Sequence, residues 1–361
     1  MNQINRVMWG RVERPLTVFV PWDCGHHCPF CTTKAEYETK YPQSRLDYFF
    51  GRQKESLRRL LAYGFVNEIV LTGGEPLADI GRLNELIDLI RGECRYDGRL
   101  YINTSLNLPS EKEDASYRFL CEEARSGGRV NGISVSLPYA DVSMMNARGY
   151  ALLGRFMVEC NDRMVFDWVR VNSVVRGNES AEQIRQFVRN VRKLEGEHKH
   201  GIWSINLRRD YSTCTQANLN DCFDPIMRTL MGMPDMPYKG HGGCLVCRND
   251  VFWPNDSQVH RLVYHRGTES TALRYGDLVV INDLVIKQDG EMRYDWCDGA
   301  TLPKCVMDAF AKKMHHDPVN PEQLDWKWKN PIFSPSLQAW GDAYELTCRD
   351  DQAPGAERCG V

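Results

Sequence analysis

Six short β-branched or apolar runs lie between Thr17 and Leu207, and a segment of helical character follows each of the first five. The strand candidates are Thr17 to Val20, Glu68 to Leu71, Leu100 to Ile102, Gly132 to Leu137, Trp168 to Val175 and Ile202 to Leu207. Between them, Leu57, Leu60 and Leu61, then Ile80, Leu83, Leu86, Ile87 and Ile90, and later Ile184, Phe187, Val188, Val191 and Leu194 repeat at helical spacing. Ser110 with Glu113 and Ser180 with Gln183 have the spacing of capping boxes that open helices. Regular strand–helix alternation demands a parallel sheet with crossover helices, because parallel neighbours cannot be joined by tight turns. The units stop near Asp210, short of the eight that close a TIM barrel. The expected fold is α/β: a partial (β/α)6 TIM-like barrel over 10–210 with a smaller α+β C-terminal extension over 211–350. A flexible tail is expected at 351–361.

Composition narrows the function classes. A net charge of −3, from 45 basic and 48 acidic residues, leaves no electrostatic footprint for duplex nucleic acid. No run approaches membrane-span length and no apolar leader opens the chain, so a cytoplasmic protein is expected. In a reducing compartment its 14 cysteines read as metal ligands, reactive thiols or small core residues, not as a disulfide framework. Cys94, Cys121 and Cys160 fall in or beside helices and read as core.

Directly after the first strand, Cys24, Cys28 and Cys31 stand at C-x3-C-x2-C spacing. Three thiolates on one loop can hold three irons of a [4Fe-4S] cluster and leave the fourth open to another ligand. The same thiols with His26 or His27 would also make a zinc site. After the second strand comes Gly73-Gly74-Glu75-Pro76, a turn whose glycines allow close backbone approach and whose carboxylate can hold an ammonium group. Asn103, Ser105, Ser136, Asn172 and Asn206 stand at or after strand C-termini, the end at which such folds place their sites. Arg170 and Arg208, with Asn206, suit an anionic part of a cofactor or substrate.

The cysteine loop, with Phe30 just before its last cysteine, and the Gly-Gly-Glu-Pro turn one unit later together resemble the radical S-adenosylmethionine superfamily. The resemblance covers about residues 10–210. It implies that Cys24, Cys28 and Cys31 hold a [4Fe-4S] cluster whose open iron is chelated by S-adenosylmethionine. Reductive cleavage to a 5′-deoxyadenosyl radical, which abstracts a substrate hydrogen, is the implied chemistry. Glu75 and the neighbouring backbone of Gly73, Gly74 and Pro76 would meet the methionine amino group. Phe30, Asn103, Ser105, Ser136, Asn172 and Asn206 would complete the cofactor pocket. Val169 to Asn178 looks like the fifth strand of the molybdenum-cofactor cyclase-like branch and its auxiliary-cluster (SPASM/twitch-like) relatives. The expected partners are a reductant such as flavodoxin or ferredoxin and a small-molecule substrate, a nucleotide or other phosphorylated metabolite being the first choice. A peptide substrate is the alternative, although only about sixteen residues precede the first strand. A non-catalytic Fe–S or zinc protein is the reading from another class.

A second cysteine site is centred on Cys244 and Cys247, with Cys297 and Cys305, or Cys214 and Cys222, as candidate partners. An auxiliary Fe–S cluster, a structural zinc and ordinary thiols are all open to it. Gln288-Asp289-Gly290 reads as a hairpin turn leading toward Cys297.

Overall fold

The computed structural model describes residues 6–9, 15–24, 28–31, 33–64, 66–108, 110–125, 128–137, 147–160, 164–194, 202–210, 225–242, 249–252, 261–265, 272–275, 278–281 and 283–293. Its main sheet has 11 strands. Six of them are the sequence-read repeat: β2 (Pro15–Phe19), β3 (Glu68–Thr72), β4 (Arg99–Thr104), β5 (Gly132–Ser136), β6 (Trp168–Val175) and β7 (Ile202–Arg209). They are parallel and adjacent in chain order. The helices of this region are α1 (Lys34–Glu38), α2 (Gln43–Ala62), α3 (Ile80–Asp88), α4 (Ser110–Arg125), α5 (Ala147–Cys160) and α6 (Ala181–Lys193). The sheet is open, as a partial barrel requires.

The helices start where local chemistry lets them. At α6, Ser180 Oγ accepts from Gln183 N at 3.3 Å and the Gln183 side chain accepts from Ser180 N at 2.8 Å, so the capping box is complete. Asp79 caps α3 through Arg82 N at 3.1 Å. Glu113, read as a box partner of Ser110, instead accepts from Arg148 Nε at 2.6 Å; the Ser110 side chain lies outside the described residues. Ile184, Phe187, Val188 and Val191 are buried, as their spacing predicts.

The sheet continues beyond the repeat on both edges. β10 (Arg261–His265) pairs parallel with β7, and β9 (Asn249–Phe252) and β8 (Tyr238–Gly242) follow it antiparallel. At the other edge β13 (Leu284–Ile286) pairs parallel with β2 and turns back antiparallel into β14 (Met292–Arg293), the hairpin read around Gln288-Asp289-Gly290. A separate three-stranded sheet joins β1 (Arg6–Trp9), β12 (Leu278–Ile281) and β11 (Ala272–Tyr275).

Register sorts the side chains onto two faces, since successive residues of a strand point to opposite sides. Leu16, Val18, Ile69, Leu71, Leu100, Ile102, Ile133, Val135, Val169 and Val171 share one buried, mostly apolar face with the helices. The inner face carries the polar residues, arranged in rows across the strands. Its floor is a stack: the Tyr101 and Trp168 ring centroids are 4.3 Å apart and the Arg170 guanidinium lies 4.2 Å over Trp168. Gly132, level with Trp168, makes room for that stack, because an added Cβ would stand well inside contact distance of the Trp168 carbonyl oxygen. Gly132→Ala must therefore push β5 from β6, and overpacking of this kind costs about 1–3 kcal/mol. A urea midpoint unchanged in the variant would show that the two strands have slack.

Candidate metal centre

Val20 N donates to Thr72 O at 2.8 Å, which carries the β2–β3 pairing to the lip of the cysteine loop. Cys24 follows and packs against a small cluster of Phe19, Tyr37 and Val285. Cys31 N donates to Cys28 O at 3.1 Å and Lys34 N to Cys31 O at 3.3 Å, a turn that leads into α1. Cys24, Cys28 and Cys31 are all partly exposed. Burial pushes the Cys28 thiol up, and the negative charge of Cys31 raises it further. Burial dominates at Tyr37 too, where Glu36, Cys24 and Cys31 each push its hydroxyl the same way. The three thiols therefore share one neighbourhood, and two of them repel as thiolates. Cationic iron relieves that repulsion, and three thiolates can each take one iron corner of a cubane and leave the fourth open, so the donor set fits a [4Fe-4S] cluster. Among the described residues no three His, Cys, Asp or Glu side chains are gathered to hold a single ion. His26 and His27, the zinc alternative, lie outside the described residues. Phe30, half-buried, sits in the turn before Cys31.

The Gly-Gly turn is built against this loop. Gly73 and Gly74 have φ of +74° and +57°, a left-handed conformation that side chains resist. Space forbids a side chain as well. A Cβ on Gly73 would lie 2.5 Å from Tyr37 Oη, and one on Gly74 would lie 2.7 Å from Trp22 O. Tyr37, whose hydroxyl donates to Val20 O at 2.7 Å, is thus the wedge between the cysteine loop and the Gly-Gly turn. Gly73→Ala combines backbone strain with a clash against that wedge. The expected loss is about 2–5 kcal/mol, summing left-handed strain and overpacking, with iron uptake falling as the loop shifts. A reconstituted variant with the melting point and iron content of the parent would rule this out.

Glu75 is 2% exposed and its carboxylate is fully engaged. Oε1 accepts from Leu77 N at 3.1 Å and Thr104 Oγ1 at 2.6 Å. Oε2 accepts from Ser105 N at 2.8 Å and Ser105 Oγ at 2.6 Å. The side chain caps the short helical turn Pro76–Ala78, and Trp22 Nε1 donates to Glu75 O at 3.2 Å. Glu75 thus ties the end of β3 to the end of β4 and to the segment before Cys24.

The other sequence-read positions lie along the inner face. Asn103 Nδ2 donates to Thr72 Oγ1 at 3.3 Å. Ser136 is level with Asn172, and Asn172 Oδ1 accepts from Asn206 Nδ2 at 2.9 Å. Arg170 is level with Ser134 and Ser204, and Arg208 stands two rows above Ser204. Two groups escaped the sequence reading. Arg261 joins the face because β10 docks on β7, and nothing local in Arg261-Leu262-Val263-Tyr264-His265 announces that partner. The hairpin after β13 docks beside the cysteine loop. Asp283 Oδ2 accepts from Thr17 Oγ1 at 2.7 Å, Gln288 Nε2 donates to Pro21 O at 3.2 Å, and Gly290 O accepts from Ser56 Oγ at 2.7 Å. Lys287, 3% exposed, sits 3.4 Å from Glu36 Oε1 and 5.1 Å over the Phe19 ring. Cys214, Cys222, Cys244, Cys247, Cys297 and Cys305 lie outside the described residues, while Cys121 and Cys160 are buried and Cys94 partly so. No described helix is long and apolar enough to cross a membrane.

A search of curated proteins finds no match. Among solved structures the chain is similar to HydG, a maturase of the [FeFe]-hydrogenase, at 14% identity and a TM-score of 0.35. That alignment covers 55% of this chain and 43% of the other. Residues 11–119 match the model of a family described as a 4Fe-4S single cluster domain. The matched stretch contains Cys24, Cys28, Cys31, Tyr37 and the whole Gly73-to-Pro76 turn, so the part of the chain that is similar to an iron–sulfur domain is the part that builds this site.

Proposed function

We propose that the chain is a radical S-adenosylmethionine enzyme acting on a small molecule. The observation that carries this reading is the junction at Tyr37, where a three-thiol loop abuts a left-handed Gly-Gly turn on the neighbouring strand. Cys24, Cys28 and Cys31 hold the [4Fe-4S] cluster, leaving one iron for the cofactor. With an electron from a flavodoxin- or ferredoxin-type reductant, the cluster and S-adenosylmethionine supply 5′-deoxyadenosyl radical chemistry, by which a substrate C–H bond is broken. The chain's own part is to orient and to exclude water. Tyr37 and Phe19 fix the Gly73-Gly74 backbone beside the cluster loop, and Glu75 holds the turn in shape while its neighbouring backbone meets the methionine end. Asn103, Ser105, Ser136, Asn172 and Asn206 offer hydrogen bonds around the ribose and carboxylate.

Anaerobic reconstitution followed by EPR tests the reading. Adding S-adenosylmethionine to the reduced protein should change the cluster signal, and dithionite should yield 5′-deoxyadenosine. A full cluster with an unchanged spectrum and no 5′-deoxyadenosine would leave only a binding protein. The same preparation counts clusters: about four irons per chain means one, and about eight means a second at the C-terminal cysteines.

A further inference from the structure

Two kinds of cation stand near the cysteine loop. Lys40 pairs with Asp23 at 2.9 Å and Lys34 with Glu38 at 3.6 Å, and both lysines are exposed, so water and salt screen their charge. Lys287 is different. It arrives from the hairpin after β13 and is 3% exposed. Val285 belongs with Phe19 and Tyr37 to the cluster against which Cys24 packs. Two residues later Lys287 reaches the same Phe19, its Nζ lying 5.1 Å over the ring. Gln288 comes next and donates to Pro21 O at 3.2 Å, which pins the hairpin to the segment leading into Cys24.

A buried ammonium is costly unless its donors are used. Lys287 has three N–H donors, yet among the described residues Nζ makes one hydrogen bond, to Glu36 Oε1 at 3.4 Å. That is longer than the roughly 2.7–2.9 Å of a good charge-assisted bond. The Glu36 side chain is 30% exposed, so water shares its charge. The Phe19 ring adds a cation–π contact. Fold stability alone is a poor reason to bury a cation held this sparsely. The thiols next door supply a better one. The charges of Glu36, Cys24 and Cys31 all reach the Tyr37 hydroxyl, so Lys287 and Glu36 stand at the edge of the thiol neighbourhood.

We propose that Lys287 tunes the iron–sulfur cluster, its buried ammonium favouring the reduced, more negative state. This rests on the reading that Cys24, Cys28 and Cys31 hold a [4Fe-4S] cluster. One-electron reduction adds a negative charge to a group that three thiolates already make negative, and charge and burial are among the factors that set such potentials. A cation buried nearby therefore stabilises the reduced form more than the oxidised one.

Redox titration of the reconstituted protein, followed by EPR without S-adenosylmethionine, reads the effect. Lys287→Met keeps the apolar stem and removes the charge. It should lower the equilibrium constant for reduction at least about threefold, a midpoint about 30 mV more negative at about 59 mV per tenfold for one electron. Lys287→Arg should keep the parental midpoint. Glu36→Gln removes a negative charge from the same place and should move the midpoint the other way, a reversal that a packing role would not produce. In the metal-free protein Lys287→Met should melt within a few degrees of the parent, because Glu36 keeps water as a partner. A parental midpoint in Lys287→Met with full iron, or shifts of the same sign in Lys287→Met and Glu36→Gln, would overturn the proposal. A metal-free Lys287→Met that melts far below the parent would assign the lysine to the fold instead. Where Lys287→Met loads too little iron to titrate, an unmoved midpoint in Glu36→Gln is enough to sink the idea. The parent separates the two readings. Without a four-iron cluster in the parent the cluster reading itself fails, whereas a parent cluster that responds to S-adenosylmethionine beside unmoved variants removes only the role of Lys287.

Discussion

Cys28→Ala should lower iron in the reconstituted protein from about four per chain to below about one, and 5′-deoxyadenosine should fall at least about 100-fold under dithionite. The size of the effect follows from how few ligands the site has. On the proposed reading three thiolates on one loop would secure three irons, and removing the middle one would leave two anchors for a cluster with an open corner. Loss of an outer-sphere partner alone typically costs 10–100-fold in metal affinity, so loss of a ligand sets a floor at the upper end of that range. The fold should not suffer. Cys28 is partly exposed, and its contribution to the turn is the carbonyl that accepts from Cys31 N at 3.1 Å, which alanine retains. The metal-free variant should melt within a few degrees of the metal-free parent. Cys94→Ala is the matched control, since Cys94 is partly exposed in the segment after α3, away from the cluster loop. Undiminished 5′-deoxyadenosine from the Cys28 variant would remove the cluster from this loop altogether.

What could be read ahead of the structure depended on the range of the physics involved. The β/α repeat is local: buried parallel strands need unbroken apolar runs, and helices declare themselves by period and by caps such as Ser180 with Gln183. Strand C-termini then place Asn103, Ser136, Asn172 and Asn206 on one end of one face with no tertiary knowledge. The edges of the sheet were not legible, because their partners are far away in sequence. The bond from Thr17 to Asp283 spans 266 residues, and β13 could have found another edge without any change in its own composition. Arg261 was hidden for that reason, since its place beside Ser204 exists only through the β7–β10 pairing. The Gly73-Gly74 turn was legible as a turn, but its reason was not: the φ values and the Tyr37 wedge act together. Glu75 is the instructive case. A carboxylate in a glycine turn invites a charged ligand on paper, whereas Thr104 and Ser105, arriving on the next strand, fill its lone pairs.

Glu75→Gln should therefore destabilise the protein before any cofactor is added. Each carboxylate oxygen takes two donors, and the amide of glutamine must present its NH2 to one of those pairs. Turned toward Ser105, it faces the Ser105 N–H and a hydroxyl whose oxygen is already accepting from Asn107 N at 3.2 Å. Turned the other way, it faces Leu77 N–H and the Thr104 hydroxyl, whose oxygen accepts from Leu106 N at 3.0 Å. Rotating either hydroxyl to accept from the amide leaves its own proton buried without a partner. At about 1.5–3 kcal/mol for each hydrogen bond to a charged group, losing two costs about 3–6 kcal/mol. A melting point lower by at least about 6 °C follows at about 2–4 °C per kcal/mol, less in a chain of this length than in a small domain. The measurement belongs on the metal-free, cofactor-free protein, where ligand loss contributes nothing to the melt. Ser105→Ala, which deletes one of the four donors but leaves the carboxylate and the backbone bond, should cost about a third as much. If the Gln variant instead melts like the parent and loses only S-adenosylmethionine affinity, Glu75 is a ligand for the cofactor's ammonium and the four-donor network is incidental. The two outcomes are separated by several degrees in one scan, and they decide whether the acid of the Gly-Gly-Glu-Pro turn serves the turn or the cofactor.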